Sequence, residues 1–206
     1  MNNYCYRLKL PAILNQKLPL ISDHGLVPLD YSKTFYHRIE NITVFNHQLF
    51  DWLDSLNLSY LAGGYFYVPE NGSFLPHVDS RMAFDQGKFV DFCKINWRLG
   101  GSGSTATWYD ILPEFELLPQ NNLPESISTN SNNLTNFCLP KAGTIKPVFS
   151  VEHPEVCLLN PGRVHSFESG PCSHHMVSIA VSIKNSNKPL LWNDGIKIFK
   201  DYIVNQ

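Results

Sequence analysis

The residue types best suited to chemistry in this chain are two histidines and an aspartate, which come from two short stretches. His77 and Asp79 lie two positions apart after a run that is typical of a β-strand, and positions i and i+2 of a strand share one face. His165 follows an Asn-Pro-Gly turn at the start of a later predicted strand. Two imidazoles and a carboxylate on one face are a ligand set for iron(II) and related divalent metals, with three coordination positions left open. The sequence therefore predicts a metal site formed by His77, Asp79 and His165.

A second His-x-acid pattern, His153-Pro154-Glu155, could in principle supply a rival set of ligands. Proline fixes the backbone and removes a hydrogen-bond donor, which suits a central strand poorly. We therefore expect residues 153–155 to form a turn, and His153 not to bind the metal.

The elements that must position the ligands are short β-strands separated by turns rich in glycine and proline. Alternating or β-prone runs predict strands at about 59–68, 73–79, 89–99, 105–109, 144–151, 155–159, 164–168 and 174–184. The predicted strands do not alternate with helices, so the sequence does not indicate a parallel sheet. The pattern predicts a mainly β fold, either a barrel or a jelly roll, with a few flanking helices.

A length of 206 residues is most simply a single domain. Residues 1–57 form a flanking region, with an opening strand at 4–10 and an amphipathic helix from about Asn46 to Leu56. Residues 58–184 form the β core. The polar stretch 113–141 interrupts this core, and we expect it to be a mobile surface insertion that covers the mouth of the pocket. Residues 185–206 form a tail, with a short helix expected within 192–204.

The composition indicates a globular protein of nearly neutral charge, with 16 basic and 18 acidic residues and 43% hydrophobic residues. This balance does not indicate a nucleic-acid or membrane-surface binder, and no apolar run is long enough to span a bilayer. The first residues lack the pattern of a signal peptide, and the five scattered cysteines form no CxxC pair. We therefore expect reduced thiols and a cytoplasmic location. The oligomeric state is not predicted.

Four segments resemble the Fe(II)/2-oxoglutarate-dependent oxygenases, in particular small microbial and phage members of that superfamily. Residues 68–79 (VPENGSFLPHVD) are similar to its first metal-binding segment. Residues 95–99 (INWRL) and 107–109 (TWY) look like its middle strands. Residues 158–168 (LLNPGRVHSFE) resemble its second metal-binding segment, where a turn delivers the distal histidine. The resemblance covers residues 60 to 184.

The resemblance implies a double-stranded β-helix that binds iron(II) through His77, Asp79 and His165. It also implies that 2-oxoglutarate is a cosubstrate, which loses carbon dioxide to give succinate while a bound substrate is hydroxylated. The superfamily usually places an arginine about ten residues after the distal histidine to bind the far carboxylate of 2-oxoglutarate, and here that count ends at His175. The other candidates for binding the cosubstrate are Lys94, Arg163, Tyr67 and Asn96, together with Arg98, which shares a strand face with Lys94 and Asn96.

Two further functions compete with the oxygenase hypothesis. The chain could be a non-catalytic jelly-roll module that binds a ligand or partner, because a fold does not determine a function. It could also be a cupin-like metal dioxygenase that does not use 2-oxoglutarate. The sequence leaves the substrate open between small molecules and peptide or protein side chains.

Overall fold

The computed structural model describes residues 4–10, 31–39, 45, 47–79, 84–85, 88–118, 127–129 and 138–204. The described helices are α1 (His47–Ser55) and α2 (Trp192–Ile198). The strands are β1 (Cys5–Arg7), β2 (Thr34–Ile39), β3 (Leu58–Val68), β4 (Ser73–His77), β5 (Phe84–Asp85), β6 (Lys88–Phe89), β7 (Lys94–Gly100), β8 (Thr105–Ile111), β9 (Ile127–Thr129), β10 (Ile145–Glu152), β11 (Val156–Leu159), β12 (His165–Glu168) and β13 (His174–Ile183). Among these residues no helix is long and apolar enough to cross a membrane.

The strands form two main sheets and one short hairpin. The larger sheet has the order β1-β11-β7-β13-β3-β2-β9, and the smaller has the order β10-β8-β12-β4. All pairs are antiparallel except β2 with β9. Successive strands switch from one main sheet to the other at β3–β4 and at every step from β7 to β13. This alternation gives a double-stranded β-helix, so the jelly-roll fold expected from the sequence is confirmed.

The two faces of the larger sheet bury different sets of side chains, because successive strand residues point in opposite directions. On the inner face, Met176 packs with Trp108 and Phe167 of the smaller sheet. On the outer face, Val177 packs with Leu49 and other residues of α1 and α2. We call these the inner and outer faces below, because the candidate ligands divide between them.

Helix α1 forms where the apolar residues repeat at helical spacing. Leu49 and Leu53 are one turn apart and buried, whereas Asp51 and Asp54 are exposed. The expected boundaries at Asn46 and Leu56 differ slightly from this helix, and Asn46 lies outside the described residues. Helix α2 forms within the expected range 192–204.

Two expectations about the chain's organisation need correction. The run 89–99 is not one strand, because β6 ends at Phe89 and β7 begins at Lys94, with Phe92 forming an isolated bridge to Leu191. The insertion 113–141 is also not devoid of structure. It contributes β9 to the larger sheet, and Cys138 forms a bridge with Val78. Its parts at 119–126 and 130–137 lie outside the described residues, so its expected role as a lid stays a prediction.

Candidate metal centre

The two histidines predicted as ligands face each other across neighbouring strands of the smaller sheet. His77 ends β4, His165 begins β12, and the two residues are directly paired with ring centroids 4.4 Å apart. Asp79 follows His77 by two positions. Both histidines are 1% exposed and Asp79 is 8% exposed. The structure thus brings together the three residues that the sequence singled out, and one ligand atom from each lies within 4.8 Å of the others.

The Asn-Pro-Gly turn holds the two halves of the cluster in place. The side-chain oxygen of Asn160 accepts a hydrogen bond from the Gly162 backbone, and the Pro161 carbonyl accepts one from the backbone N–H of Asp79. A side chain at position 162 would collide with the Val90 carbonyl, since a Cβ there would lie 2.1 Å from that oxygen. The close approach explains why glycine occupies this position.

Small apolar residues next to the ligands fix the direction of the ligand side chains. Val78 and Val164 are fully buried with Phe92 and Cys138 in a separate apolar cluster. Because neighbouring residues of an extended chain point in opposite directions, burying these valines turns the adjacent ligand residues toward the interior between the sheets.

Backbone carbonyls determine which ring nitrogen of each histidine is available. Nδ1 of His77 donates to the Leu75 carbonyl at 2.7 Å, and Nδ1 of His165 donates to the Arg163 carbonyl at 2.9 Å. A carbonyl only accepts, so both Nδ1 atoms carry the proton and both Nε2 atoms present a lone pair when the rings are neutral. This arrangement is typical of metal-binding histidines, whose second nitrogen is held by an outer partner.

The Nε2 atoms converge on one carboxylate oxygen of Asp79. His77 Nε2 lies 3.0 Å from Asp79 Oδ1, and His165 Nε2 lies 3.6 Å from the same oxygen. Burial, followed by the charge of His77, lowers the pKa of His165 to about 3, so this ring is neutral near pH 7. The Nε2 lone pair of this neutral ring and the carboxylate oxygen of Asp79 repel each other unless a cation lies between them. The cluster therefore fits a metal ion and could hold one.

Lys94 compensates the buried carboxylate from the opposite sheet. Its Nζ donates to Asp79 Oδ2 at 2.6 Å, which leaves Oδ1 facing the histidines. Burial alone would raise the pKa of Asp79, but the Lys94 ammonium, followed by the His77 contact, outweighs burial and lowers it. Asp79 is therefore ionised and oriented even without a bound ion. Lys94 thus lies at the cluster and contacts the aspartate, and its predicted contact with the cosubstrate stays a prediction.

Asn96, another predicted cosubstrate-binding residue, lies next along the inner face of β7. It is buried, and its side-chain amide donates to the Met176 sulfur at 3.1 Å. Among the described residues its Oδ1 has no hydrogen-bond partner. Asn96 therefore presents an amide oxygen that can accept a hydrogen bond in the interior between the sheets.

The structure does not bring His175 and Tyr67 to the metal cluster. Both side chains lie on the outer face of the larger sheet, where their rings are 5.0 Å apart. The Tyr65 hydroxyl is 2.7 Å from His175 Nδ1, and the Tyr67 hydroxyl donates to the Tyr31 carbonyl. The physical reason is the two-residue period of β13, which turns Met176 inward and His175 outward.

Arg163 also points away from the cluster, although it is two residues from His165. Its guanidinium is paired with Asp91 in two hydrogen bonds, one of them from Nη2 to Oδ2 at 2.7 Å, and the side chain is 45% exposed. The chain bends at Arg163, so the alternation that relates Val164 to His165 does not extend to this residue. Its contact with Asp91 instead braces the turn before His165.

His153 is likewise separate from the cluster. It is buried after β10, with its ring centroid 5.2 Å from that of His174. Among the described residues, only His77, Asp79 and His165 form a group with metal-ligand geometry. Sequence reasoning gave no role to His174, which faces inward with Met176. The alternation of β13 is the signal that could have identified it, had the strand's buried face been known.

No family model matches this chain, and no curated protein matches its sequence. Similar solved structures include HygX from Streptomyces hygroscopicus with nickel, 2-oxoglutarate and hygromycin B bound, at 12% identity and a TM-score of 0.43 over 88% of this chain and 82% of that one. An oxalate oxidase with the substrate analogue glycolate matches at 10% identity and a TM-score of 0.34, over 95% and 88%. L-ribose isomerase from Cellulomonas parahominis matches at 11% identity and a TM-score of 0.29 over 64% of this chain. The chain spans only about half of the isomerase, 52% of its length. At these values the neighbours assign neither a family nor an activity.

Proposed function

We propose that this chain is a non-haem iron(II) and 2-oxoglutarate-dependent oxygenase that hydroxylates a small molecule or a peptide side chain. One observation carries the proposal: two imidazole nitrogens and one carboxylate oxygen converge inside a double-stranded β-helix. Three ligands on one face leave room for further ligands on the other side of the ion, as non-haem iron oxygenases require. The sequence segments around both histidines resemble the corresponding segments of that superfamily.

The residues of the chain have distinct roles in this proposal. His77, Asp79 and His165 hold the metal, which supplies oxygen activation when bound. Lys94 fixes the rotamer of Asp79 and keeps its carboxylate ionised, so that Oδ1 remains directed at the ion. The leucine and arginine carbonyls that accept from the two Nδ1 atoms keep both rings in the ligand tautomer. Burial of all three ligands excludes bulk water from the ion's protein side.

A cupin-like metal dioxygenase that does not use 2-oxoglutarate is the second candidate. The observation that favours it is the position of His175 and Tyr67 on the outer face, which removes two of the expected cosubstrate contacts. Lys94 is also engaged with Asp79. The metal cluster would serve either enzyme, so the two candidates differ in the cosubstrate alone.

The test is an anaerobic titration of the purified protein with iron(II) and then with 2-oxoglutarate. The proposal expects the weak visible charge-transfer band of an iron–2-oxo acid chelate. His77→Ala, Asp79→Ala and His165→Ala should abolish it, because each loses one of three ligands. His153→Ala is the matched control and should retain the band, since this buried histidine lies outside the cluster.

The outcomes separate the three functions. Iron binding without a band, together with oxygen consumption that does not need 2-oxoglutarate, would support the cupin-like dioxygenase. An absence of iron binding would contradict both enzyme hypotheses and favour the non-catalytic binding module. Loss of the metal in His153→Ala alone would show that the ligand set is wrong.

A further inference from the structure

The inner face of the larger sheet carries a group of small side chains beside the metal cluster. This group, called the small-residue floor below, consists of Ala62 and Gly64 of β3 and of Ser178 and Ala180 of β13, which pair with each other. Lys94 of β7 pairs with Ala180 at the border of the floor. Ala62 is partly exposed and the Lys94 side chain is 19% exposed, so solvent reaches the inner space at this end of the sheet.

A polar atom without a partner lies at the border of the same floor. Asn96 of β7 pairs with Ser178 and shares the inner face with Lys94. Asn96 is 1% exposed, and its Oδ1 has no hydrogen-bond partner in the part of the chain that the structure describes. Buried acceptors without partners are rare in native proteins. The space over the floor is therefore suited to a polar ligand.

Tyr36 and Arg38 of β2 border the floor on the side opposite to β7. Arg38 pairs with Gly64, and Tyr36 pairs with Phe66, which belongs to the inner cluster. Residues i and i+2 of a strand share one face, so both side chains belong to the inner face. The Tyr36 ring packs against this cluster, with its centroid 4.8 Å from that of Phe66.

The Tyr36 ring extends from its own position toward the metal cluster. A Cβ at position 64 would lie 2.5 Å from Tyr36 Cε2 and 3.3 Å from the Tyr36 hydroxyl oxygen, so the ring lies across Gly64. Burial, followed by the charge of Asp79, raises the pKa of Tyr36 to about 12, whereas the charge of Arg38 acts in the opposite direction. The hydroxyl is therefore neutral near pH 7 and lies within electrostatic reach of both the metal cluster and the arginine.

The charge of Arg38 is not balanced by an acidic side chain of the described residues. Two other arginines are paired, Arg98 with Glu152 and Arg163 with Asp91, but no described carboxylate pairs with Arg38. The acidic group of the inner face, Asp79, is bound by Lys94. A guanidinium can donate two parallel hydrogen bonds to a planar carboxylate. Arg38 is exposed, so a ligand can reach it from solvent.

We infer that Arg38 binds a carboxylate group of the substrate, and that Tyr36 and the small-residue floor line the space between this carboxylate and the metal ligands. The inference rests on the proposed function, because it identifies the bound molecule as the substrate. Neighbouring strands are about 4.8 Å apart, so the three steps from β2 to β7 span about 14 Å. The Arg38 and Lys94 side chains reach into this span from both sides, which leaves room for a small organic acid or one acidic side chain of a peptide.

The first experiment uses the full chain, freed of metal with EDTA and labelled with fluorotyrosine. The fluorine signal of Tyr36 is the one that Tyr36→Phe removes. Butyrate should shift this signal in a saturable manner, whereas butyramide, which has nearly the same size and no charge, should not. Arg38→Gln should weaken butyrate binding by about tenfold or more, as expected for loss of a charge-assisted hydrogen bond.

Two further variants show whether the charge and position of Arg38 are responsible. Arg7→Gln is the matched control, because Arg7 is an exposed arginine on β1, five strands away in the same sheet, and should leave butyrate binding unchanged. Arg38→Lys keeps the charge without the planar fork, so its affinity should lie between those of the wild type and Arg38→Gln. An absence of butyrate binding, or equal binding by the wild type and Arg38→Gln, would overturn the inference. Tighter binding of inorganic phosphate than of butyrate would overturn the assignment to a carboxylate.

The second experiment adds manganese(II) to the labelled protein. Because the ion is paramagnetic, it should broaden the fluorine signal of Tyr36 more than that of Tyr65, which lies on the outer face. Broadening of Tyr36 that is no stronger than that of Tyr65 would overturn the position assigned to its ring. Butyrate binding through Arg38 without any manganese binding would instead support the carboxylate site and contradict the proposed oxygenase function.

A comparison of two carboxylates identifies the source of the bound group. Butyrate represents a free organic acid, and glutamate with an acetylated amino group and an amidated α-carboxyl group represents an acidic side chain within a peptide. If both bind and both are weakened by Arg38→Gln, the site accommodates the backbone of a peptide substrate. If only butyrate binds through Arg38, the substrate is a small molecule.

Discussion

Replacing Lys94 by methionine should destabilise the metal-free protein strongly. The ammonium lies 2.6 Å from Asp79 Oδ2, with the two side chains only 19% and 5% exposed. At an effective dielectric constant of about 20, unit charges at this distance attract by roughly 6 kcal/mol. The variant also avoids the desolvation of the lysine ammonium. The net decrease in the free energy of unfolding should therefore be about 3–5 kcal/mol, as found when one partner of a buried pair is removed. For a chain of this size the loss corresponds to roughly 10 °C in melting temperature.

A divalent ion should reverse most of this loss. In the metal-free variant, the Asp79 carboxylate lies beside the Nε2 atoms of His77 and His165 and lacks the Lys94 ammonium. A bound ion replaces the missing positive charge, so the stability difference between variant and wild type should shrink at saturating metal. By linkage, the variant should then bind the ion more tightly than the wild type does.

A competing effect acts in the other direction and must be weighed. Lys94 also orients Asp79, and loss of such an outer partner typically weakens metal binding by about 10–100-fold, or roughly 1.4–2.7 kcal/mol. The repulsion between an ammonium and a divalent ion about 4 Å apart is on the order of 8 kcal/mol at the same dielectric constant. Because relief of this repulsion outweighs the loss of orientation, we expect the affinity of Lys94→Met for metal to rise.

Urea unfolding in EDTA and in saturating manganese(II) measures both effects on the same samples. Lys184→Met is the control, because Lys184 pairs with Asp54 on the surface, and such pairs contribute less than about 1 kcal/mol. An equal loss of stability with and without metal would show that Asp79 does not ligate the ion. No loss in EDTA would refute the contribution assigned to the buried pair.

Three further predictions concern the candidate metal ligands, the buried His174 and the core. His165→Ala should abolish tight manganese(II) binding by calorimetry, whereas His153→Ala should leave it unchanged, since only the first residue donates a ligand atom in the cluster. His174→Phe should flatten the pH dependence of the free energy of unfolding between pH 6.5 and 4. In this range the unfolded wild type takes up a proton at residue 174, whereas the folded state, in which burial lowers the pKa of His174 to about 3, does not. Wild-type stability should therefore decrease as the pH is lowered, by up to about 3 kcal/mol at pH 4 relative to the variant. A variant as acid-sensitive as the wild type would contradict this burial effect. Leu53→Ala should lower the free energy of unfolding by about 2–5 kcal/mol in urea, because Leu53 joins α1 to the outer face of the larger sheet; a loss below 1 kcal/mol would mean that this helix contributes little to the core.

Local patterns were sufficient to predict most strands and both described helices. An aromatic, β-prone composition identified β3, and alternation identified β13. In the structure both faces of each strand are buried, one in the inner cluster and the other against the helices. The three residues of the candidate metal cluster were also predictable. Two of them are two positions apart on one extended segment, and the third follows a turn whose proline and glycine are visible in the sequence.

The contacts of the remaining candidates depend on tertiary structure that the sequence does not display. Asp91 and Arg163 are 72 positions apart, so nothing local shows that they pair and remove the guanidinium from the cluster. The run 89–99 looks continuous in sequence, yet the turn at Gly162 packs against Val90 and interrupts it. Likewise, the parallel pairing of β9 with β2 is a long-range contact within a polar stretch.

The positions of His174 and His175 show how one residue of register moves a side chain from one face of a sheet to the other. Counting from His165 identifies a position along the chain, but only the pleat determines the face, and a shift of one residue inverts it. His174 pairs with Val68 of β3, which belongs to the inner cluster, so position 174 faces the interior between the sheets. Position 175, where the family resemblance led us to expect an arginine, faces the helices instead. A count of residues therefore predicts how far along a strand a contact should lie, but not whether the side chain enters the space between the sheets.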